Sequence, residues 1–151
     1  MSFAQGTEVA FGDSDHDSSL PVEVTSERLN VNQNDGTAIF TGNVVVGQGE
    51  MRLWAPRVLV VYLEDESGIE SLNATGGVTM ISGEDAAEGR VADYNVQTGL
   101  IEMEGDVLLI QGVHALTGDK LFIDTDAGTA RVVGRVKTIL QPDSKPENES
   151  E

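Results

Sequence analysis

Hydrophobic and polar residues alternate along four stretches of this 151-residue chain, each centred on a glycine that is followed two residues later by a valine. The four glycines are Gly42, Gly76, Gly105 and Gly134. Positions two and four residues to either side are apolar in fifteen of sixteen cases, whereas positions one and three residues away are apolar in only four. Side chains alternate between the two faces of a strand. Each stretch is therefore predicted to be a long β-strand with one dry face and one wet face.

The apolar positions define a predicted inner face, and a sheet folded around it would enclose a continuous apolar trough. Fourteen of these residues are the candidate ligand contacts: Ala38, Phe40, Val44, Val46, Leu72, Ala74, Val78, Met80, Ile101, Met103, Val107, Leu109, Val132 and Val136. A glycine inside a strand often marks a bend or a bulge. We therefore expect the four central glycines to let the strands curve around the trough.

Turn signals separate the strands. A polar cluster ending in glycine stands six to eight residues before each central glycine, at Gly36, Gly68, Gly99 and Gly128. Such clusters between apolar runs are typical of hairpin turns. No ten-residue window keeps the apolar spacing of an amphipathic helix without violating the two-residue alternation. The pattern predicts an all-β protein of stacked, hairpin-like units.

Both ends of the chain have a different composition. Residues 2–4 (Ser-Phe-Ala) resemble the end of a secretory signal peptide, and residues 12–19 are acidic, small and polar. Residues 142–151 contain two prolines and no large apolar side chain. We therefore divide the chain into residues 1–19, a signal-peptide remnant with a flexible acidic tail, residues 20–141, the folded domain, and residues 142–151, a disordered C-terminal tail.

The net charge limits the possible partners. With 9 basic and 26 acidic residues the formal net charge is −17. This charge argues against nucleic acid as a ligand, because binding phosphates requires clustered lysine and arginine. Simple electrostatic docking on anionic lipid headgroups is disfavoured for the same reason. The chain has no cysteine, and no apolar run reaches the roughly 18 residues that a membrane-spanning helix requires.

Catalytic chemistry has little support in the sequence. His16 falls in the N-terminal tail and His114 in a predicted loop, and neither has a serine partner in a recognisable nucleophile motif. The pair Glu102 and Glu104 lies on the wet face, where carboxylates are ordinarily solvated. We expect no enzyme activity, no cofactor and no metal site.

Two segments carry a family resemblance. The stretch LNVNQNDGTAIFTGNVVVGQGEMRLWAPRVLV, residues 29–60, resembles the opening of the OstA-like domain of the LptA family. The stretch ADYNVQTGLIEMEGDVLLIQG, residues 92–112, resembles the second characteristic segment of the same family. The resemblance extends over about residues 20–141, which is the whole predicted domain.

This resemblance implies a fold and a function. It implies an OstA-like β-jellyroll of stacked antiparallel strands, shaped as a slightly open, twisted V. It also implies a periplasmic protein that binds the lipid A acyl chains of lipopolysaccharide inside the trough and stacks head to tail as a bridge from the inner to the outer membrane. The implied partners are lipopolysaccharide, an LptC-like protein anchored in the inner membrane, the N-terminal domain of an LptD-like outer-membrane protein, and further copies of the chain itself.

The sheet edges are the predicted assembly surfaces, because an edge strand has unpaired backbone N–H and C=O groups. The first edge, residues 20–27, contains Val22 and Val24, and the last edge, residues 130–140, contains Arg131, Arg135 and Lys137 on one outer face. A rival hypothesis is a self-polymerising β-solenoid scaffold with a filled core and no lipid ligand, since repetition predicts that as well.

Overall fold

The computed structural model describes residues 7–10, 19–65 and 67–142, with only the backbone for residues 7–10. Eleven strands occur in this part of the chain: β1 Thr7–Ala10, β2 Glu23–Thr25, β3 Arg28–Asn32, β4 Thr37–Gln48, β5 Met51–Tyr62, β6 Ile69–Ser82, β7 Asp85–Asn95, β8 Leu100–Gln111, β9 His114–Asp124, β10 Thr129–Val133 and β11 Lys137–Ile139. These residues include no helix that could span a membrane.

All strand pairs are antiparallel and belong to one sheet with the order β1-β10-β9-β8-β7-β6-β5-β4-β2. From β4 to β10 each strand pairs with the next in sequence, as short turns between alternating strands predict. At the margins, β3 pairs with the first part of β4, and β11 pairs with the first part of β9. The all-β prediction is confirmed.

A bend divides the sheet into two layers. The pairing register shifts in the middle of five successive pairs, from β4–β5 to β8–β9. Layer A contains β1, β3, β10 and residues 37–41, 57–62, 69–75, 91–95, 100–104 and 120–124; layer B contains β2, β11 and residues 44–48, 51–54, 78–82, 85–89, 107–111 and 114–118. The predicted bend therefore exists, and it falls at the central glycines.

The central glycines have backbone conformations that other residues adopt with strain, with φ between +86° and +93°. A side chain from a neighbouring segment also lies over each of them: Glu27, between β2 and β3, lies over Gly42, and a residue of the adjacent strand lies over each of the other three. A Cβ added at Gly105 would stand 2.8 Å from the Cβ of Arg90, whose guanidinium continues to the Asp106 carboxylate at 3.3 Å. Gly134 is covered in the same way by Asp119, which pairs with Arg135 at 2.6 Å. Glycine is required there by both conformation and space.

The core lies between the two layers. Its apolar side chains form one cluster with members from both layers, and none of its fully buried members is more than 6% exposed. Side chains on one face of a single sheet reach such burial only where something covers them. The bend supplies the cover, because it places the inward face of layer A against that of layer B.

One element differs from the sequence-based division of the chain. Strand β1 lies within residues 1–19, expected to form a remnant and tail, and pairs with β10 from Thr7 opposite Val132 to Ala10 opposite Thr129. A four-residue strand that is added by backbone hydrogen bonds leaves little compositional signal. Residues 1–6, 11–18 and 143–151, which carry the predicted signal-peptide remnant, most of the acidic tail and most of the C-terminal tail, lie outside the described residues.

Candidate binding site

The structure brings the fourteen predicted inner-face residues together. Twelve of them are no more than 4% exposed and belong to the single core cluster. Phe40 and Val136 are partly buried and pack against that cluster. Their contact with a ligand remains a prediction, since in this conformation the same side chains pack against one another.

The other half of the inner face does not follow from the pattern around the central glycines. Inward residues also come from the strands that lie between the repeated ones: Met51, Leu53, Ala55, Val58, Val60, Ala87, Ala92, Tyr94, Leu116, Leu121 and Ile123. The same two-residue alternation runs through β5, β7 and β9 and could have identified them. The interior is thus lined by aliphatic side chains and methionine from seven neighbouring strands, β4 to β10.

A polar contact interrupts this aliphatic interior. The Tyr94 hydroxyl donates a hydrogen bond to Gln48 Oε1 at 2.5 Å, and Gln48 Nε2 donates one to the backbone oxygen of Leu20 at 2.9 Å. Gln48 is 1% exposed and Tyr94 2%. Burial disfavours the phenolate and raises the pKa of Tyr94 to about 12. Gln48 ends β4 in layer B and Tyr94 lies near the end of β7 in layer A, so the contact ties the layers together at the strand ends away from the bend.

The apolar inner face reaches the surface at strand β3. Leu29 pairs with Phe40 and Val31 with Ala38, so both side chains share the inward face of β4. Nevertheless Leu29 is 52% exposed and Val31 57% exposed. The alternation in Arg28–Asn32 could have added these two residues to the candidate set. They are the exposed continuation of the interior at one sheet margin.

The predicted assembly edges are partly wrong. Val24 lies on β2, which is an edge strand beside β4, as expected. Residues 130–140, in contrast, do not form one strand, because the bend at Gly134 divides them into β10 and β11.

The three basic residues of that segment consequently lie in different surroundings. Arg131 lies on β10, which β1 covers, and its guanidinium stacks 4.9 Å from the centre of the Phe122 ring. Arg135 pairs with Asp119 in the bend, and that ion pair lowers the pKa of Asp119. Only Lys137 lies on an open edge strand, β11. The three do not share one outer face.

Comparison with known proteins identifies the family. Residues 23–129 match the family described as the LptA/(LptD N-terminal domain) LPS transport protein. The chain belongs to this family. An uncharacterized protein of Rhizobium meliloti (strain 1021) is 31% identical over 139 residues, covering 85% of this chain and 75% of that protein. The resemblance to the LptA family is therefore confirmed.

Two further relatives have descriptive names. Lipopolysaccharide export system protein LptA of Escherichia coli (strain K12) is 26% identical over 111 residues, covering 70% of this chain and 60% of that protein. The match thus spans less than two thirds of that LptA. The crystal structure of LptH, the LptA homologous periplasmic component of the lipopolysaccharide transport device of Pseudomonas aeruginosa, has a TM-score of 0.76 at 20% identity, covering 84% of this chain and 99% of LptH. It confirms the LptA-like fold.

Proposed function

We propose that this protein is a periplasmic carrier that binds the lipid A acyl chains of lipopolysaccharide between its two layers. The observation that carries the proposal is the continuous aliphatic interior, which extends from β4 to β10 and emerges at Leu29 and Val31. Family membership supports lipopolysaccharide as the ligand. A binding protein of this kind needs no catalytic group.

Burial of the acyl chains supplies the affinity. Each CH₂ group removed from water contributes about 0.8 kcal/mol, so a few acyl chains bind strongly without a charged contact. The interior is packed in this conformation, and an entering chain must therefore displace core contacts as the layers separate. The phosphorylated headgroup stays in solvent outside the two layers, because an aliphatic interior offers no partners for its charges.

The two margins of the sheet support head-to-tail assembly. β2 and β3 lie at one margin, and β1 and β11 at the other. A neighbouring copy that adds a strand at β3 would hydrogen-bond along the open edge and cover Leu29 and Val31, which extends the apolar path into the next copy. Such a contact joins two different surfaces, so it generates open chains. We propose the same edge pairing with an LptC-like anchor and an LptD-like N-terminal domain.

Photo-crosslinking tests this function. Benzoylphenylalanine at Phe40 places the probe on the inner face, and the same residue at Trp54 provides an aromatic control on the outward face, where Trp54 is 39% exposed. Irradiation with purified lipopolysaccharide should label the Phe40 variant and leave the Trp54 variant unlabelled. Labelling at Trp54 alone would contradict binding in the interior.

The packed core favours a second candidate function, a structural scaffold that polymerises through its edges and binds no lipid. Most of the inner face is no more than 6% exposed, as a filled core requires. A scaffold would purify free of lipid from its native compartment and give no crosslink at Phe40, while still forming oligomers. Mass spectrometry of co-purified lipid distinguishes the two functions.

A further inference from the structure

A row of aliphatic side chains crosses the outward face of layer B. Its five members lie in register on β6, β7, β8, β9 and β11: Ile81, Ala86, Ile110, Ala115 and Ile139. Those on β6 to β9 point outward, because a sequence neighbour of each belongs to the buried core: Met80, Ala87, Leu109 and Leu116. Ile81 is 39% exposed, Ile110 37% and Ile139 49%. Large and small side chains alternate along the row.

A second outward row runs parallel to the first, two residues further along each strand. It contains Glu88 on β7, Leu108 on β8, Thr117 on β9 and Lys137 on β11, again in register. Glu88 and Lys137 are exposed, and neither forms an ion pair with any residue that the structure describes. The row continues to Thr79 on β6, and within the four strands β7, β8, β9 and β11 an acid and a base stand at opposite ends.

The two rows on one copy are complementary to the same two rows on a second copy. A two-fold axis parallel to the strands, between β8 and β9, exchanges β8 with β9 and β7 with β11 in a second copy. Ile110 then faces Ala115 of the second copy, and Ala86 faces its Ile139. In the other row the same axis places Glu88 opposite Lys137 of the second copy, and symmetry makes this contact twice. Large side chains meet small ones, and each acid meets a base.

We propose that the outward face of layer B is a homodimer interface, in which two copies pack face to face about this axis. Aligned packing of two sheets is an ordinary arrangement. Four strands about 4.8 Å apart and two rows about 7 Å apart give a contact of a few hundred Å² per copy, below the roughly 800 Å² per partner of stable complexes. The dimer is consequently weak and forms at high concentration. It leaves both sheet margins free, so it is distinct from head-to-tail pairing.

Charge-reversal variants test the interface, with the dimer dissociation constant measured by sedimentation equilibrium. Glu88→Lys and Lys137→Glu should each weaken dimerisation about tenfold or more, since two attractive contacts become repulsive. The double variant Glu88→Lys/Lys137→Glu should return to the wild-type value. Glu70→Lys, the same charge change at an exposed site in layer A, controls for net charge and should not weaken it. Unchanged association in both single variants, or no recovery in the double variant, overturns the proposal.

The absence of native cysteine allows a second measurement. A mixture of Ile110→Cys and Ala115→Cys proteins should give a disulfide-linked heterodimer under mild oxidation, because the two positions face each other. Leu100→Cys, exposed on the outward face of layer A, replaces Ile110→Cys in the control mixture. Equal yields in the two mixtures would show that the linkage reflects random collision. Failure of either test leaves crosslinking at Phe40 unaffected, so the two proposals fail independently.

Discussion

The buried hydrogen bond between Tyr94 and Gln48 predicts a measurable loss of stability on its removal. Tyr94→Phe keeps the ring and deletes only the hydroxyl, which donates to Gln48 Oε1 at 2.5 Å. Both residues are at most 2% exposed, so water does not readily replace the lost donor. A buried polar group deprived of its partner costs about 1–3 kcal/mol. We expect the free energy of unfolding to fall by that amount.

Urea denaturation followed by circular dichroism measures this loss. The matched control is Tyr62→Phe, the same chemical change at a partly buried tyrosine on β5, which should change stability by less than about 0.5 kcal/mol. If Tyr94→Phe costs no more than Tyr62→Phe, the contact does not hold the layers together.

Three further predictions follow from the same geometry. Burial raises the pKa of Tyr94 from 10.0 to about 12, so its contribution is complete below pH 10 and is lost as pH rises towards 12; unfolding measured from pH 9 to 12 should show a smaller decline in Tyr94→Phe. Gly105→Ala should destabilise more than Gly77→Ala, because both positions have φ near +90° to +100° but only the first places its Cβ against Arg90. Carbon-detected NMR should find the pKa of Asp119 below its ordinary value and restored by Arg135→Gln, since that arginine lowers it; an unchanged titration would exclude the ion pair in solution.

The two-residue alternation predicted the repeated strands and their buried face because burial on one side of a sheet leaves a direct mark on the sequence. Val44 and Val107 each lie two residues after a central glycine, and they are 0% and 1% exposed, as the pattern requires. The bend could be predicted for a related reason, since few residues other than glycine tolerate the conformation at Gly42 and Gly105.

Features that depend on which strands become neighbours were not predictable from one segment at a time. Nothing near Gln48 indicates that Tyr94, 46 residues later, will approach it. The alternation in residues 130–140 suggested a single edge strand, whereas Gly134 divides it into β10 and β11, which pair with the two halves of β9, and β1 takes the edge of β10. The outward row could not be predicted, because its members are single apolar residues on separate strands and only the pairing register aligns Ile81 with Ile110 and Ile139.

The charge of the chain constrains both proposed modes of self-association. At a formal net charge of −17, two copies repel each other at long range, so association requires contacts that are favourable locally. Edge pairing relies on backbone hydrogen bonds and on covering Leu29 and Val31, neither of which weakens with salt. Face pairing relies in part on Glu88 and Lys137, whose attraction is screened. Added salt therefore relieves the repulsion in both modes but removes an attraction in only one, and moderate ionic strength should favour chains over face-to-face pairs.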